Sequence, residues 1–358
     1  MRIVRKFKQL TSQTYPHGTE KGLLKYLPEG YKEDQVGNYY LQIGEETSTM
    51  FACHLDTACT YQKKVNHVFD NEFIKTDGTT ILGADDKAGM VVMLYMIENK
   101  IPGLYYFFLG EEVGCIGSGK LAKIWTKTEF SKYIKKVVSF DRRGTSSVIT
   151  EQAFGQCCSN EFAKTLSSEL NSTGLGFNFS PDPTGIFTDS AKFMSLVPEC
   201  TNISVGYYSE HTNSEKQDLD FLRRLCKGVC LIDWENLPIK RDHTKYDDYF
   251  SIWDDEDEEF FIENSNDEWS KENFSYFKVN DDIKKMYICK SRIDEEKSFI
   301  YKWLFDTGYC SGLRGIIWNG DSLFVESDTI EFVGSRIDIM EYIPELSSVP
   351  TSMIKDEI

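Results

Sequence analysis

Histidines and carboxylates follow a series of apolar runs in the first 211 residues, and their types suit metal chemistry. The residues concerned are His54, Asp56, Asp85, Asp86, Glu111, Glu112, Asp141, Glu210 and His211. Imidazole and carboxylate groups are ligands that zinc, cobalt and manganese all accept. Two divalent ions about 3.5–4 Å apart can hold a water molecule between them and lower its pKa. The residue types therefore suit a pair of divalent metal ions, and zinc, cobalt and manganese are all acceptable.

Such a centre needs different carboxylates for different tasks. One must bridge the two ions, and others must balance their charge. A further carboxylate must stay unligated, so that it can take a proton from the water. The adjacent pair Glu111 and Glu112 suits this division, with one residue as the base and the other as a ligand.

The elements that must position these residues alternate along residues 1–236. The patterns predict strands at 38–43, 50–54, 104–109, 137–140 and 203–207, and helices at 86–98, 117–125, 162–170 and 219–231. This alternation predicts an α/β three-layer sandwich with a mixed, mostly parallel central sheet. The polar residues then lie at the C-terminal ends of the strands, the edge where open α/β sheets usually build their sites.

Charge is distributed unevenly between the two parts of the chain. Residues 1–240 carry 29 acidic and 27 basic side chains, a net charge of −2, whereas residues 241–358 carry 28 and 13, a net charge of −15. Such an acidic chain is not expected to bind nucleic acid. The N-terminus lacks the apolar run of a signal peptide, and no stretch has the length of a membrane span. The ten cysteines are consequently expected to be free thiols in the cytoplasm.

The last third of the chain is expected to fold separately. Residues 237–270, which include the acidic run 254–259, are predicted to form a linker, and residues 271–358 a small C-terminal α+β domain of unknown role. Its predicted elements are a helix at 298–305 and strands at 316–318, 322–325 and 330–333. This acidic third is the candidate region for a protein partner or for self-assembly.

Five motifs together resemble the co-catalytic dinuclear zinc exopeptidases, the superfamily of peptidase T and the leucyl-type aminopeptidases. The motifs are His54-Leu-Asp-Thr57, Leu82-Gly-Ala-Asp-Asp-Lys-Ala-Gly89, Gly110-Glu-Glu-Val-Gly114, Phe140-Asp141, and Asn202-Ile-Ser-Val-Gly206 through Glu210-His-Thr212. They occur in the order found in that superfamily. Each motif is short, but five in order over residues 50–225 form a specific pattern.

The resemblance implies a role for each matching residue. His54 and His211 would each bind one metal ion, Asp85 would bridge the two, and Glu112 and Asp141 would complete the ligand set. Glu111 would be the general base, and Asp56 would hydrogen-bond the imidazole of His54. The resemblance also implies a cis peptide bond between Asp85 and Asp86.

Spacing and residue choice favour one branch of the superfamily. Only 70 residues separate Asp141 from His211, too few for the lid or dimerisation insert of peptidase T. Asp rather than Glu at position 141 resembles aminopeptidases. Asp189, in Thr188-Asp-Ser190, is a candidate pocket residue. Arg142 and Arg143 are local candidates for holding a substrate carboxylate, which would weaken the case for an aminopeptidase.

Three functions remain open at this stage. The first is metal-dependent hydrolysis of the N-terminal peptide bond of short peptides. The second is an amidohydrolase reaction, such as deacylation of an N-acyl amino acid, at the same site. The third is a binding or scaffold protein on an inactive peptidase fold, against which the retention of Glu111 and of every ligand position argues.

Overall fold

The computed structural model describes residues 2–153 and 155–245, and the backbone of five short strands further along the chain. The chain divides into two compact units, Met1–Asp247 and Asp248–Ile358. The predicted linker, 237–270, starts within the first unit, where the backbone N–H groups of Lys240 and Arg241 donate to Glu199 (2.6 and 3.0 Å). The rest of that linker, and the predicted helix 298–305, lie outside the described residues.

The first unit contains five α-helices and fourteen short strands among its described residues. The helices are α1 Ile3–Leu10, α2 Ala84–Glu98, α3 Ile116–Ile124, α4 Asn160–Ser172 and α5 Leu219–Gly228. The strands are β1 Lys32–Glu33, β2 Tyr39–Ile43, β3 Thr49–His54, β4 His67–Asp70, β5 Phe73–Thr76, β6 Gly103–Phe108, β7 Lys136–Arg142, β8 Ser147–Ile149, β9 Glu151–Gln152, β10 Gly155–Gln156, β11 Ser180–Asp182, β12 Glu199–Ser204, β13 Tyr207–Tyr208 and β14 Lys216–Asp218.

An eight-stranded mixed sheet forms the centre of this unit, in the order β1-β2-β6-β3-β7-β12-β8-β11. Its four inner strands β6, β3, β7 and β12 are all parallel, and four of the seven neighbouring pairs in the whole sheet are parallel. Every residue of β3, β6 and β12 is buried, which requires cover on both faces of the sheet. These features confirm the predicted α/β fold class.

Helix α2 is the central helix of the unit and packs on β3 and β7, with α1 and α5 packing against it in turn. The helix predicted at 86–98 begins two residues earlier, at Ala84. In the structure the helix is buried almost all round, because it lies between the sheet and two other helices. Gly89 permits the close approach to the sheet, since a Cβ atom there would overlap the carbonyl oxygen of Phe140.

The predicted strand 203–207 is wrong in its extent. Strand β12 ends at Ser204, and Gly206 adopts a positive φ of 92° that turns the chain. Tyr207 and Tyr208 then join a separate antiparallel sheet, in the order β13-β14-β5-β4. The apolar run Ile203–Tyr207 therefore belongs to two sheets, which periodicity alone does not distinguish.

In the second unit the described backbone consists of five strands. They are β15 Phe274–Phe277, β16 Met286–Cys289, β17 Gly315–Asn319, β18 Ser322–Glu326 and β19 Glu331–Ser335. Strands β15 and β16 form an antiparallel pair, and β17, β18 and β19 form an antiparallel three-stranded sheet. The three strands predicted at 316–318, 322–325 and 330–333 correspond to β17–β19. No helix in the described parts of the chain combines the length and the apolar composition that a membrane crossing needs.

Candidate metal centre

The ends of the inner parallel strands bring the predicted residues to one edge of the sheet. His54 is the last residue of β3, Asp141 lies near the end of β7, and Glu111 and Glu112 follow β6. Because β3 lies between β6 and β7 and runs parallel to both, its end is flanked by theirs. Asp85 approaches from the start of α2, which packs on β3 and β7. The peptide bond between Asp85 and Asp86 is cis, as the resemblance implied.

Asp85 lies between two groups of potential ligands. One carboxylate oxygen, Oδ1, is 2.9 Å from Nε2 of His54, which is in turn 3.6 Å from Oδ1 of Asp141. The other oxygen, Oδ2, is 3.2 Å from Nε2 of His211, which is 3.0 Å from Oε2 of Glu112. The structure thus brings together all five residues predicted as ligands. Each oxygen of Asp85 faces one histidine, and each histidine has a second carboxylate oxygen within 3.6 Å.

Asp56 holds this edge of the sheet together. Its two carboxylate oxygens accept the backbone N–H groups of Glu111 (3.0 Å) and Glu112 (3.1 Å). Oδ1 also lies 3.3 Å from Nδ1 of His54, so the other ring nitrogen faces Asp85. Asp56 is fully buried, and hydrogen bonding with His54 lowers the pKa of Asp56 although burial alone would raise it. One carboxylate consequently fixes both a histidine and the Glu111–Glu112 turn.

Glu215 is a buried carboxylate at this site that the sequence analysis did not single out. It accepts the backbone N–H groups of Leu82 (2.8 Å), Gly83 (2.7 Å) and Asp85 (3.0 Å). Burial raises the pKa of Glu215 to about 7. Since Glu215 follows His211 by four residues, it ties the loop that carries His211 to the loop that carries Asp85. Its position shortly after the last ligand was the only signal in the sequence.

Asp86 also serves the backbone in this structure. Its carboxylate accepts the N–H groups of His54 (3.3 Å) and Gly89 (3.0 Å) and is completely buried. Oxygen and nitrogen atoms of Asp86, His54 and Asp141 lie within 4.8 Å of one another. The two hydrogen bonds from backbone N–H groups nevertheless direct the Asp86 carboxylate towards the start of α2 and the end of β3. These hydrogen bonds are consistent with a supporting position for Asp86 beside Asp85, the predicted ligand.

Glu111 lies beside the predicted ligands, with Oε2 3.9 Å from Nε2 of His54. Burial raises the pKa of Glu111 well above its usual value, and the neighbouring charges of Asp141 and Glu112 raise it further. The thiol of Cys115 lies 3.5 Å from Oε1 of Glu111, within reach of a weak hydrogen bond to that oxygen. The carboxylate thus has one oxygen near the centre and the other near a buried thiol.

Hydrogen bonds from three further side chains orient Asp141. Thr188 donates to Oδ2 (2.6 Å), Tyr207 donates to Oδ1 (3.1 Å), and Asn202 pairs with the backbone N–H and carbonyl of Asp141 (2.9 and 2.8 Å). Burial, followed by the charge of Asp85, raises the pKa of Asp141 to about 6. Thr188 and Tyr207 were not predicted to contact the centre.

The residues predicted for the substrate pocket occupy three different environments. Arg142 donates to the carbonyl and hydroxyl oxygens of Thr184 (3.0 and 2.9 Å). Arg143 forms an ion pair with Glu210 (3.3 Å), the neighbour of His211. Asp189 is buried at 1% exposure, and burial raises its pKa to about 7. Arg143 therefore reaches the loop of His211 through Glu210, whereas Asp189 lies in the buried segment that packs on β3 and β7.

The donor set fits divalent cations. Asp56, Asp85, Glu111, Glu112 and Asp141 lie around two imidazoles, with the buried ammonium group of Lys87 bonded to the Asp56 carbonyl. Five carboxylates still outnumber these three basic groups, and such a surplus of negative charge is unfavourable unless cations balance it. Both histidines have a pKa raised well above its usual value: burial opposes their charge, but the adjacent carboxylates outweigh it. Oε1 of Glu112 is buried without a hydrogen-bond partner among the described residues. A metal ion would give that oxygen a partner.

Comparison with known proteins supports the fold and adds little at the level of sequence. No family model matches the chain. An 85-residue stretch is 44% identical to the uncharacterised protein YqjE of Bacillus subtilis, and this match covers 22% of the chain and 23% of that protein.

Solved structures resemble the chain over about two thirds of its length. The aminopeptidase PepT of Bacillus cereus matches with a TM-score of 0.51 and 18% identity, over 65% of this chain and 98% of PepT. The dodecameric PhTET1-12s matches with a TM-score of 0.50 and 17% identity, over 64% of this chain and 98% of its own. These likenesses confirm the predicted α/β fold and show that the chain shares it with these two structures.

Proposed function

We propose that this protein hydrolyses the N-terminal peptide bond of short peptides with the help of two divalent metal ions, most simply zinc. The observation that carries the proposal is the position of Asp85, whose two oxygens face His54 (2.9 Å) and His211 (3.2 Å). Asp141 and Glu112 would complete the two ligand sets. The catalytic function would reside in the unit Met1–Asp247. Two solved structures of the same fold, the aminopeptidase PepT and PhTET1-12s, are consistent with this proposal.

Bound at these residues, the ions would polarise the scissile carbonyl and lower the pKa of the attacking water. Glu111 would accept a proton from that water and pass it to the nitrogen of the leaving amine. Its raised pKa suits a group that must both take and release a proton. Asp56 would keep Glu111 in place through the backbone N–H that it accepts (3.0 Å).

The surroundings of the centre favour a substrate with a free amino group. An amidohydrolase that acts on N-acyl amino acids needs a cation to hold the substrate carboxylate. Here Arg142 is bonded to Thr184, and Arg143 is paired with Glu210. Oε2 of Glu210 is buried and has no hydrogen-bond partner among the described residues. It lies beside His211 in sequence and is a candidate acceptor for the substrate ammonium group.

Turnover on matched peptides tests the proposal. The purified protein would be assayed with zinc, cobalt or manganese on the same short peptides in free-amine, N-acetylated and carboxy-amidated form. We expect cleavage of the free-amine and carboxy-amidated peptides, no cleavage of the N-acetylated ones, and loss of all cleavage with a chelator. Cleavage restricted to N-acetylated substrates would instead establish the amidohydrolase alternative. Metal binding without any cleavage would favour the scaffold alternative.

A further inference from the structure

A basic cleft lies between helices α1 and α5, with no predicted ligand among its lining residues. Its volume is about 890 Å³, within the range of small-molecule sites. The basic side chains that line it are Arg2, Arg5, Lys8, Arg223 and Lys227. No acidic residue lines this cleft in the described parts of the chain. The net charge of the whole protein is −17, so this concentration of positive charge is a local exception.

The five cations have no ion-pair partner among the described residues. Acidic residues nearby in sequence are already engaged, since Asp70 pairs with Lys75 (2.8 Å) and Asp220 with Arg224 (2.9 Å). Helix α1 itself contains no acidic residue. Among the described residues, the positive charges of the cleft are therefore not neutralised by ion pairs.

The spacing of the cations places them in two rows. Arg5 and Lys8 are three residues apart in α1, Arg223 and Lys227 are four residues apart in α5, and Arg2 immediately precedes α1 as its N-cap residue. Residues three or four apart lie on one face of a helix, about 4.5–6 Å apart along its axis. Like charges at these spacings repel each other and destabilise a helix. Both helices thus carry unfavourable repulsions that a bound anion would relieve.

Two aromatic rings complete the cleft. Phe69 lines it at 53% exposure, with the ammonium group of Lys8 5.1 Å from the centre of the ring. Tyr26 also lines it, beneath the ammonium group of Lys6 at 5.5 Å. Lysines over aromatic faces are attracted by the ring electrons. These contacts hold the lysines near the cleft and leave part of the Phe69 surface open to a ligand.

We propose that this cleft binds a polyphosphate group, either as an inorganic anion or as part of a nucleotide. Five cations line a cleft of about 890 Å³, so a ligand that pairs with them needs several negative charges in a small volume. Linked phosphates supply that density, whereas in an extended acidic peptide successive side chains point to opposite faces, so that the charges on one face are about 6.6 Å apart. Three of the cations are arginines, whose planar guanidinium groups bind phosphate oxygens in pairs. The proposal is independent of the chemistry at the metal centre.

Titration calorimetry with inorganic tripolyphosphate tests this proposal. The double variant Arg5→Glu/Arg223→Glu should bind about tenfold more weakly or worse, because both rows change sign. Lys120→Glu/Lys164→Glu is the matched control, since it makes the same change in net charge at two exposed lysines on other helices. Tripolyphosphate also binds metal ions. Binding at the metal centre would persist in the cleft variant, whereas binding in the cleft would not.

Three outcomes would overturn the proposal: no binding, binding that the double variant leaves unchanged, or equal weakening in the control. A hexapeptide of glutamate that bound more tightly than tripolyphosphate would assign the cleft to acidic peptides instead. A parallel titration with adenosine triphosphate distinguishes the two phosphate sources, because a nucleotide gains affinity from Phe69 and should lose it in Phe69→Ala. The neutral pair Arg5→Gln/Arg223→Gln, which avoids new repulsions, should weaken binding in the same direction.

Discussion

The metal centre and the basic cleft use charge in opposite ways. At the centre the charges are mostly buried, and the carboxylates of Asp56, Asp86 and Glu215 are tied to backbone N–H groups. In the cleft most of the cations are exposed and have no ion-pair partner among the described residues. Buried charges need fixed partners, because water cannot solvate them. This difference indicates a preorganised site for chemistry at the strand ends. On α1 and α5 it indicates a site whose exposed basic side chains would attract an anion electrostatically.

The sharpest test of the preorganised centre is Glu111→Gln. We expect turnover to fall by about 10³-fold or more, because the proton acceptor is lost while the ligands remain. Metal content, measured by elemental analysis, should stay unchanged. Glu151→Gln, at an exposed position outside the centre, is the control. A Glu111→Gln protein with full activity would refute the assignment of the base.

A second test removes a ligand in place of the base. His211→Ala should reduce both the metal content and the turnover, because its Nε2 faces Asp85 and Glu112 at 3.2 and 3.0 Å. We expect metal affinity to fall by at least about 10–100-fold, the loss typical even for residues that only support a ligand. Equilibrium dialysis with zinc measures this change, with His243→Ala as the matched control. Unchanged zinc affinity would exclude His211 from the ligand set.

A third test distinguishes an effect on metal affinity from an effect on the stability of the fold. Glu215→Gln should weaken metal affinity by about tenfold, because an amide cannot accept all three N–H groups around Asp85. It should also lower the free energy of unfolding by about 1–3 kcal/mol.

Glu199 provides the control for this test. It is equally buried and accepts the backbone N–H groups of Ser159, Lys240 and Arg241, with no bond to a predicted ligand. Glu199→Gln should therefore lower stability by a similar amount and leave metal affinity unchanged. If both variants weakened metal binding equally, Glu215 would have no specific role at the centre.

The smallest effect is expected from the cleft. Arg5→Glu/Arg223→Glu should leave peptide turnover within about twofold of the original protein at physiological salt, because salt screens exposed charges beyond about 8 Å. The same variant should lose tripolyphosphate binding, as described above. A large fall in turnover without added phosphate would show that the two regions are coupled, and the comparison between them would no longer hold.

The fold class followed from the alternation of apolar runs with helical patterns, because buried parallel strands have a distinctive composition. The predicted strand 203–207 was wrong because this apolar run belongs to two sheets. The short strands β8 and β11 were not predicted, and their pairing partners are distant in sequence. Hydrogen-bonding partners of that kind are set by tertiary contacts, which local periodicity does not report.

By itself, the sequence determined which residues are available at the strand ends and in what order: His54, Asp85, Glu112, Asp141 and His211. Each belongs to a short motif next to its own strand or helix, so local patterns were enough to find it. Only the tertiary structure decided that Asp85 faces both histidines, that Glu215 holds the Asp85 loop from 130 residues away, and that α1 and α5 form one basic cleft. These arrangements depend on contacts between distant segments, and such contacts exist only when the core has packed.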